Sequence, residues 1–221
     1  MCGRFAVTIL PDAMAQLFNA VPGNDLPPVP DFNICPTGGV AVVSLEGGAR
    51  RLGAMRWGFL PSWYKTSTDG PLLINARAES IAQKPAFRSA ARERRCLIPA
   101  SGFYEWSKDA EGNRLPWYFT RSDGAPVVFA GVWQMWEKGE SPLKTCAIVT
   151  TQANEAMSAV HHRMPVIVEP ADWGKWLGEE GHGAALLMKP AGEGVIRFHR
   201  VGREVNSNRA SGPGLILPIA A

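Results

Sequence analysis

The chain contains no apolar run of the roughly 18 residues that a membrane span requires. Its opening, Met1-Cys2-Gly3-Arg4-Phe5, carries no long apolar segment, so no secretory signal is read and a reducing cytoplasm is the expected compartment. Strong charge of either sign is missing: Lys plus Arg is 23, Asp plus Glu is 20, and the formal net charge is +3. That excludes a disordered polyelectrolyte and a protein that binds partners by bulk charge. The four cysteines, Cys2, Cys35, Cys96 and Cys146, form no CxxC pair, so neither a zinc ribbon nor a redox motif is expected. No internal repeat, low-complexity stretch or composition shift divides the 221 residues. With 46% hydrophobic residues, residues 1–221 suffice for a single domain with a sizeable core.

What is present is uneven. There are 16 Arg against 7 Lys. The planar guanidinium suits phosphate and carboxylate, so one positive groove remains compatible with the modest total charge. There are 8 Trp, residues that usually fill core but also serve as stacking platforms.

Hydrophobic periodicity predicts a short helix over residues 11–21, with Met14, Leu17 and Phe18 on one face, then a proline-rich loop to Pro30. Residues 40–45 and 51–57 read as a hairpin about Glu46-Gly47-Gly48. Residues 58–74 read as irregular and 77–94 as mostly helical with an interruption at Pro85. Strands are expected at 96–99, 102–106, 117–121, 127–136, 144–150 and 164–168, with hairpin turns at Glu111-Gly112 and Asp123-Gly124. Short helices are expected at 154–160 and near Pro170, a Gly-rich loop over 178–194, and strands again at 196–205 and 215–219. Strands that follow one another in hairpins imply an α+β domain: a largely antiparallel, barrel-like β-sheet flanked by short helices.

Four segments put polar groups where a plain core would not. Cys2 follows the initiator Met, and its small side chain permits Met1 removal. A leading cysteine carries an α-amine and a thiol on adjacent carbons, with ordinary pKa values of about 7.7–8.0 and about 8.5. The alternative is an ordinary residue at a chain end. Cys35, Cys96 and Cys146 lie in apolar settings and read as buried small hydrophobes. Glu105 stands between Tyr104 and Trp106 on a strand; a carboxyl desolvated there has its pKa raised toward neutrality, as a general acid–base needs, whereas one on an edge strand does not. His161 is either a proton shuttle or a structural histidine beside His162. Asn75 either orients a substrate or caps a helix. Arg4, Arg77 and Arg163 each sit near one of these groups, suited to a phosphate-bearing substrate or else to surface ion pairs. Trp57, Trp63 and Tyr64 lie in the irregular stretch, either stacking on unpaired bases or packing in the core.

Taken in order, Met1-Cys2-Gly3-Arg4-Phe5, Asn33-Ile34-Cys35-Pro36-Thr37, Arg56-Trp57-Gly58-Phe59-Leu60-Pro61-Ser62-Trp63, Asn75-Ala76-Arg77-Ala78-Glu79, Gly102-Phe103-Tyr104-Glu105-Trp106 and His161-His162-Arg163-Met164-Pro165 resemble the SOS response-associated peptidase family, the abasic site processing proteins. The ending, Val205-Asn206 through Leu215-Ile216-Leu217-Pro218, extends the match. Two departures stand out: Cys35 where the family more often has Ala, and His162 where an acidic residue is common. The resemblance implies a single domain that binds single-stranded DNA and crosslinks to abasic sites, with Cys2 as the covalent residue. It implies that Asn75, Glu105 and His161 complete the catalytic set, and that Arg4, Trp63, Arg77, Thr150 and Arg163 lie near bound DNA. No metal or organic cofactor and no membrane partner is implied, and a monomer is expected.

Three other readings share these residues. An N-terminal-nucleophile amidohydrolase also opens with Met-Cys-Gly, although Arg-Gly-Pro-Asp and Asn-Gly-Glu segments are absent. A cysteine-type peptidase would act on other proteins. A non-catalytic module would bind intact and abasic strands alike.

Overall fold

A computed structural model describes residues 2–219. Its strands are β1 (Phe5–Val7), β2 (Val21–Pro22), β3 (Asp31–Ile34), β4 (Gly39–Glu46), β5 (Ala49–Trp57), β6 (Asn75–Arg77), β7 (Arg95–Ala100), β8 (Gly102–Lys108), β9 (Arg114–Arg121), β10 (Val127–Trp136), β11 (Leu143–Gln152), β12 (Arg163–Pro165) and β13 (Ile196–Arg200). The helices are short: α1 (Pro11–Phe18), α2 (Arg88–Glu93), α3 (Glu155–Ser158) and α4 (Trp173–Leu177). The expected α+β domain, dominated by sheet, is what the chain forms.

One sheet runs β13-β9-β8-β1-β3. The other runs β12-β11-β10-β7-β4-β5-β2, and β11 also pairs with β5, so β11, β10, β7, β4 and β5 close into a five-stranded barrel. Closure removes the exposed edges that strands otherwise leave for aggregation. The β4–β5 hairpin turns at Gly47 and Gly48, both at positive φ (61° and 78°), the backbone that a two-residue turn between twisted strands demands. The two sheets meet through aromatic rings. Phe5 of β1 lies 5.0 Å from Trp57 and 5.7 Å from Phe129, and Phe103 of β8 lies 5.7 Å from Phe129. These contacts make one continuous core.

Most pairings are antiparallel, but three are parallel: β2 with β5, β11 with β5, and β11 with β6. Hairpin patterning carries no sign of them. The sequence expectation also fails locally. Residues 77–94 are not mostly helical; only α2 is α-helix, preceded by successive turns. Pro85 lacks the donor a continuous helix needs, and the Ala78 N–H is already committed to Thr150 O at 2.8 Å. The tail at 215–219 is not a strand. A 3-10 turn, Pro213–Ile216, begins behind Gly212 at φ 96°, and Pro218 makes a single bridge to Val201. The strand expected over 196–205 stops at Arg200 and gives way to a 3-10 turn, Arg203–Asn206. In α1, Met14 and Phe18 are buried one turn apart, while Leu17 sits at the margin of that stripe and is exposed. Cys96 and Cys146 are buried as expected; Cys35 is only half-buried.

Gly102 opens β8 where the chain passes close to β9: a Cβ there would lie 2.5 Å from Phe119 O and 2.5 Å from the Tyr118 ring. A carbonyl oxygen fixed in a ladder cannot retreat as a side-chain tip can. Gly102→Ala should therefore destabilise the fold by about 1–3 kcal/mol, read as a lower urea midpoint. An unchanged midpoint would mean that β8 and β9 separate there at no cost.

Candidate active site

The site is assembled where the first residues of the chain enter between the two sheets. Phe5 pairs with Phe103, and the Tyr104 N–H donates to Arg4 O at 2.9 Å. Continuing that antiparallel register sets Gly3 beside Glu105. Cys2 is fully buried, 0% exposed, and its carbonyl oxygen accepts from Asn75 Nδ2 at 2.9 Å. Met1, whose removal the sequence reading requires, lies outside the described residues.

Glu105 is 2% exposed on β8, flanked by Tyr104 and Trp106 as the sequence suggested. Burial pushes the Cys2 thiol well above its ordinary range, and the negative charge of Glu105 adds to the effect. The thiol at rest is therefore protonated.

His161 follows α3, whose start is capped by Asn154: its Oδ1 accepts from the Met157 N–H at 3.0 Å. The Arg163 backbone anchors the imidazole through Nδ1, which lies 3.0 Å from the N–H and 3.1 Å from the carbonyl oxygen. Burial lowers the His161 imidazole below its ordinary value, and Glu105 opposes that shift. The ring stacks on His162 with centroids 4.4 Å apart.

Glu105 and His161 both line a cleft of about 290 Å³, together with Gly3, Arg4 and Trp106. A larger cavity of about 690 Å³ lies along β5 between β2 and β11. Charged residues line it, Asp25, Glu46, Arg51, Arg56 and Lys144 among them, but no cysteine or histidine does, and none of the expected catalytic residues is there.

Asn75 reaches Cys2 because β6 lies parallel to β11, with Asn75 opposite Ile148 and Arg77 opposite Thr150. Further along, β12 flanks β11 and brings Arg163 opposite Gln152. The second half of β11 thus holds Asn75 on one side and the His161-bearing segment on the other. The four residues expected to be catalytic come together.

The residues expected near DNA separate into two groups. Trp63 is 55% exposed, and Arg77 also faces solvent. Arg4, Thr150 and Arg163 are buried and bonded within the chain. Arg4 donates through Nη1 to Asn33 Oδ1 at 2.6 Å and Val205 O at 3.0 Å, and through Nη2 to Asn208 Oδ1. Arg163 forks onto Glu79 at 2.7 and 3.0 Å, and its Nη2 also donates to Thr150 O at 2.7 Å. Of the other aromatics in that stretch, Trp57 is buried at the end of β5 with Nε1 donating to Ile74 O at 3.0 Å, and Tyr64 is buried as well.

The sequence matches the model of the SOS response associated peptidase (SRAP) family over residues 1–208. The chain belongs to this family. It is 34% identical over 223 residues to the abasic site processing protein YoqW of Bacillus subtilis, covering 98% of this chain and 99% of that protein. It is 29% identical to the abasic site processing protein YedK of Escherichia coli, covering 99% and 100%. It is 31% identical to the chicken abasic site processing protein HMCES over 79% of this chain and 59% of that one. The fold is shared with a solved structure from Bacteroides thetaiotaomicron at a TM-score of 0.86 and 20% identity, over 99% and 100% of the two chains.

In this SRAP chain the sequence reading gave no role to the residues that hold the site in shape. Glu79 fixes Arg163, whose backbone anchors His161; Asn33 and Asn208 fix Arg4. Glu79 and Asn33 lie inside the motifs quoted above, so the signal was their company. Asn208 carries no such mark.

The SRAP site has a titration signature. In an NMR histidine titration, His161 should have a midpoint below the ordinary histidine value, because burial disfavours its charged form. Glu105→Gln should lower it further, because the carboxylate is what favours the imidazolium. A His161 midpoint at or above the ordinary value of about 6.5 would show that burial does not govern the ring.

Proposed function

We propose that this SRAP protein processes abasic sites in single-stranded DNA by forming a covalent thiazolidine between Cys2, after hydrolytic removal of Met1, and the ring-opened sugar. The observation that carries the reading is a shared neighbourhood: Cys2 is buried with its carbonyl held by Asn75 and its thiol within the influence of Glu105, and the next residue, Gly3, lines one cleft with Glu105 and His161. The names of the relatives, abasic site processing proteins over nearly the whole chain, support the substrate class.

The chemistry follows from the two nucleophiles of a leading cysteine. An abasic deoxyribose opens to an aldehyde. The α-amine adds to C1′, water leaves, and an imine results. The thiol then adds across the C=N bond: sulfur bonds to C1′, its proton passes to nitrogen, and a five-membered ring closes. The second nucleophile is tethered, and effective molarities for such closures reach about 10⁵ M or more. A thiol held protonated by burial makes the amine the first to attack. Glu105 relays protons for sugar opening and for the thiol, His161 acts at the sugar oxygen or imine, and Asn75 holds the residue whose amine reacts. A lysine would yield the imine without the ring, and an internal cysteine would yield neither imine nor ring. Closing the ring removes the imine from which β-elimination would cut the strand, so lyase activity is weak.

Exposed Arg77 and Trp63 supply phosphate and base contacts, with affinity falling as salt rises. Buried Arg163 and Thr150 act instead by holding the His161 segment.

Intact-protein mass spectrometry before and after mixing with an abasic oligonucleotide tests the proposal. The expected species is the chain without Met1, gaining the oligonucleotide mass less one water. Cys2→Ala should form no denaturation-resistant adduct. Cys2→Ser should give at most an imine, trapped by borohydride and lost without it. A stable adduct on Cys2→Ala, or full reactivity with Met1 retained, would reject the scheme.

A further inference from the structure

The cleft has a second flank that neither the motifs nor the expected DNA residues account for. It is formed by the β8–β9 hairpin, where Lys108 pairs directly with Arg114 and Trp106 with Pro116. Lys108, Arg114 and Ser107 line the same cleft as Glu105 and His161, whereas Arg77 and Trp63 do not. The guanidinium of Arg114 lies over the Trp106 ring, 4.5 Å from its centroid, and Arg4 lies 5.8 Å from the same ring. Trp106 cannot swing away, because its Nε1 donates to Asn206 Oδ1 at 2.6 Å.

Two cations side by side repel unless something negative sits between them. Among the described residues neither Lys108 nor Arg114 has a carboxylate partner. Asp109, the neighbour of Lys108, is turned to Asn113 at 3.0 Å and to Arg203 at 3.6 Å. An exposed, uncompensated pair with one member laid flat on a fixed indole is an arrangement suited to a phosphate.

We propose that Lys108 and Arg114 form a phosphate clamp for the backbone of a nucleotide next to the abasic sugar, within the cleft that Glu105 and His161 line. Arg114 is a positioning residue: stacked on Trp106, it fixes where the strand leaves the cleft and so where C1′ lies relative to Cys2. The clamp rests on the reading of the cleft as a DNA site, but not on the covalent step.

The test separates the two. Fluorescence anisotropy with single strands carrying an unreactive tetrahydrofuran abasic analogue measures binding alone. The analogue is placed internally, at the 5′ end or at the 3′ end. Arg114→Ala and Lys108→Ala, both at exposed positions, should each weaken binding to the internal analogue by about tenfold. The double variant should flatten the slope of log affinity against log salt by about 0.7 for each phosphate that is no longer neutralised. The loss should vanish with one of the two terminal analogues, the one lacking the nucleotide that the clamp holds. Arg114→Lys, which keeps charge but not the planar stack, should recover only part of the affinity. Glyoxylate, a small aldehyde without phosphate, should modify Cys2 equally in wild type and variants. Equal losses on all three strands, no loss on any, or no binding by the wild type would overturn the clamp. Failure of wild type to react with glyoxylate or abasic DNA, with the binding pattern intact, would overturn the covalent reading and leave the clamp standing.

Discussion

The register of β1 against β8 is the constraint on which the site depends. Phe5 opposite Phe103 leaves no freedom in where residues 2–4 run, because Phe5 is locked between Trp57 and Phe129 in the core. A slip of one residue would turn Phe5 to the other face of the sheet and lift it from those rings. With the register held, Cys2 is drawn into the interior and Gly3 set beside Glu105. A chain end is usually the least ordered part of a domain. Here large apolar side chains hold it, and the position of Cys2 follows from their packing.

The other half of the site depends on β11 changing neighbours along its length. Its first half belongs to the closed barrel, between β10 and β5; its second half lies between β12 and β6. One strand therefore ties the barrel to both Asn75 and the segment that ends in His161. The buried Arg163 reinforces this junction. Pairing with Glu79 offsets the cost of its desolvation without adding much stability. Its effect is positional, since the same residue's backbone anchors the imidazole. Arg4 works similarly, tying the segment just before β1 to the C-terminal turns through Val205 and Asn208.

Electrostatics and burial act together in the cleft. Cys2 lies in a dry interior, next to a buried carboxylate, and its thiol is held protonated. His161 is driven toward its neutral form by burial while Glu105 pulls the other way. The cleft is compact, about 290 Å³. Three cationic side chains line it: buried Arg4, and Lys108 and Arg114, which are exposed.

Much of this was legible in the sequence. Hairpin turns at Gly47-Gly48, Gly112 and Gly124 follow from local backbone preference, and the α+β class follows from alternation and turn spacing. Cys2, Asn75, Glu105 and His161 could each be singled out by residue type and local setting, though with a structural alternative for each, and it was the family resemblance that joined them into one set. Local chemistry is written residue by residue, so a sequence determines it. The parallel pairings of β11, the closure of the barrel, the locking of Arg4 and Arg163 inside the chain, and the bare pair Lys108 and Arg114 beside the cleft were decided only in three dimensions. Each joins segments far apart along the chain or depends on neighbours brought from elsewhere, and the free energy involved lies in packing and partner choice that no single segment encodes.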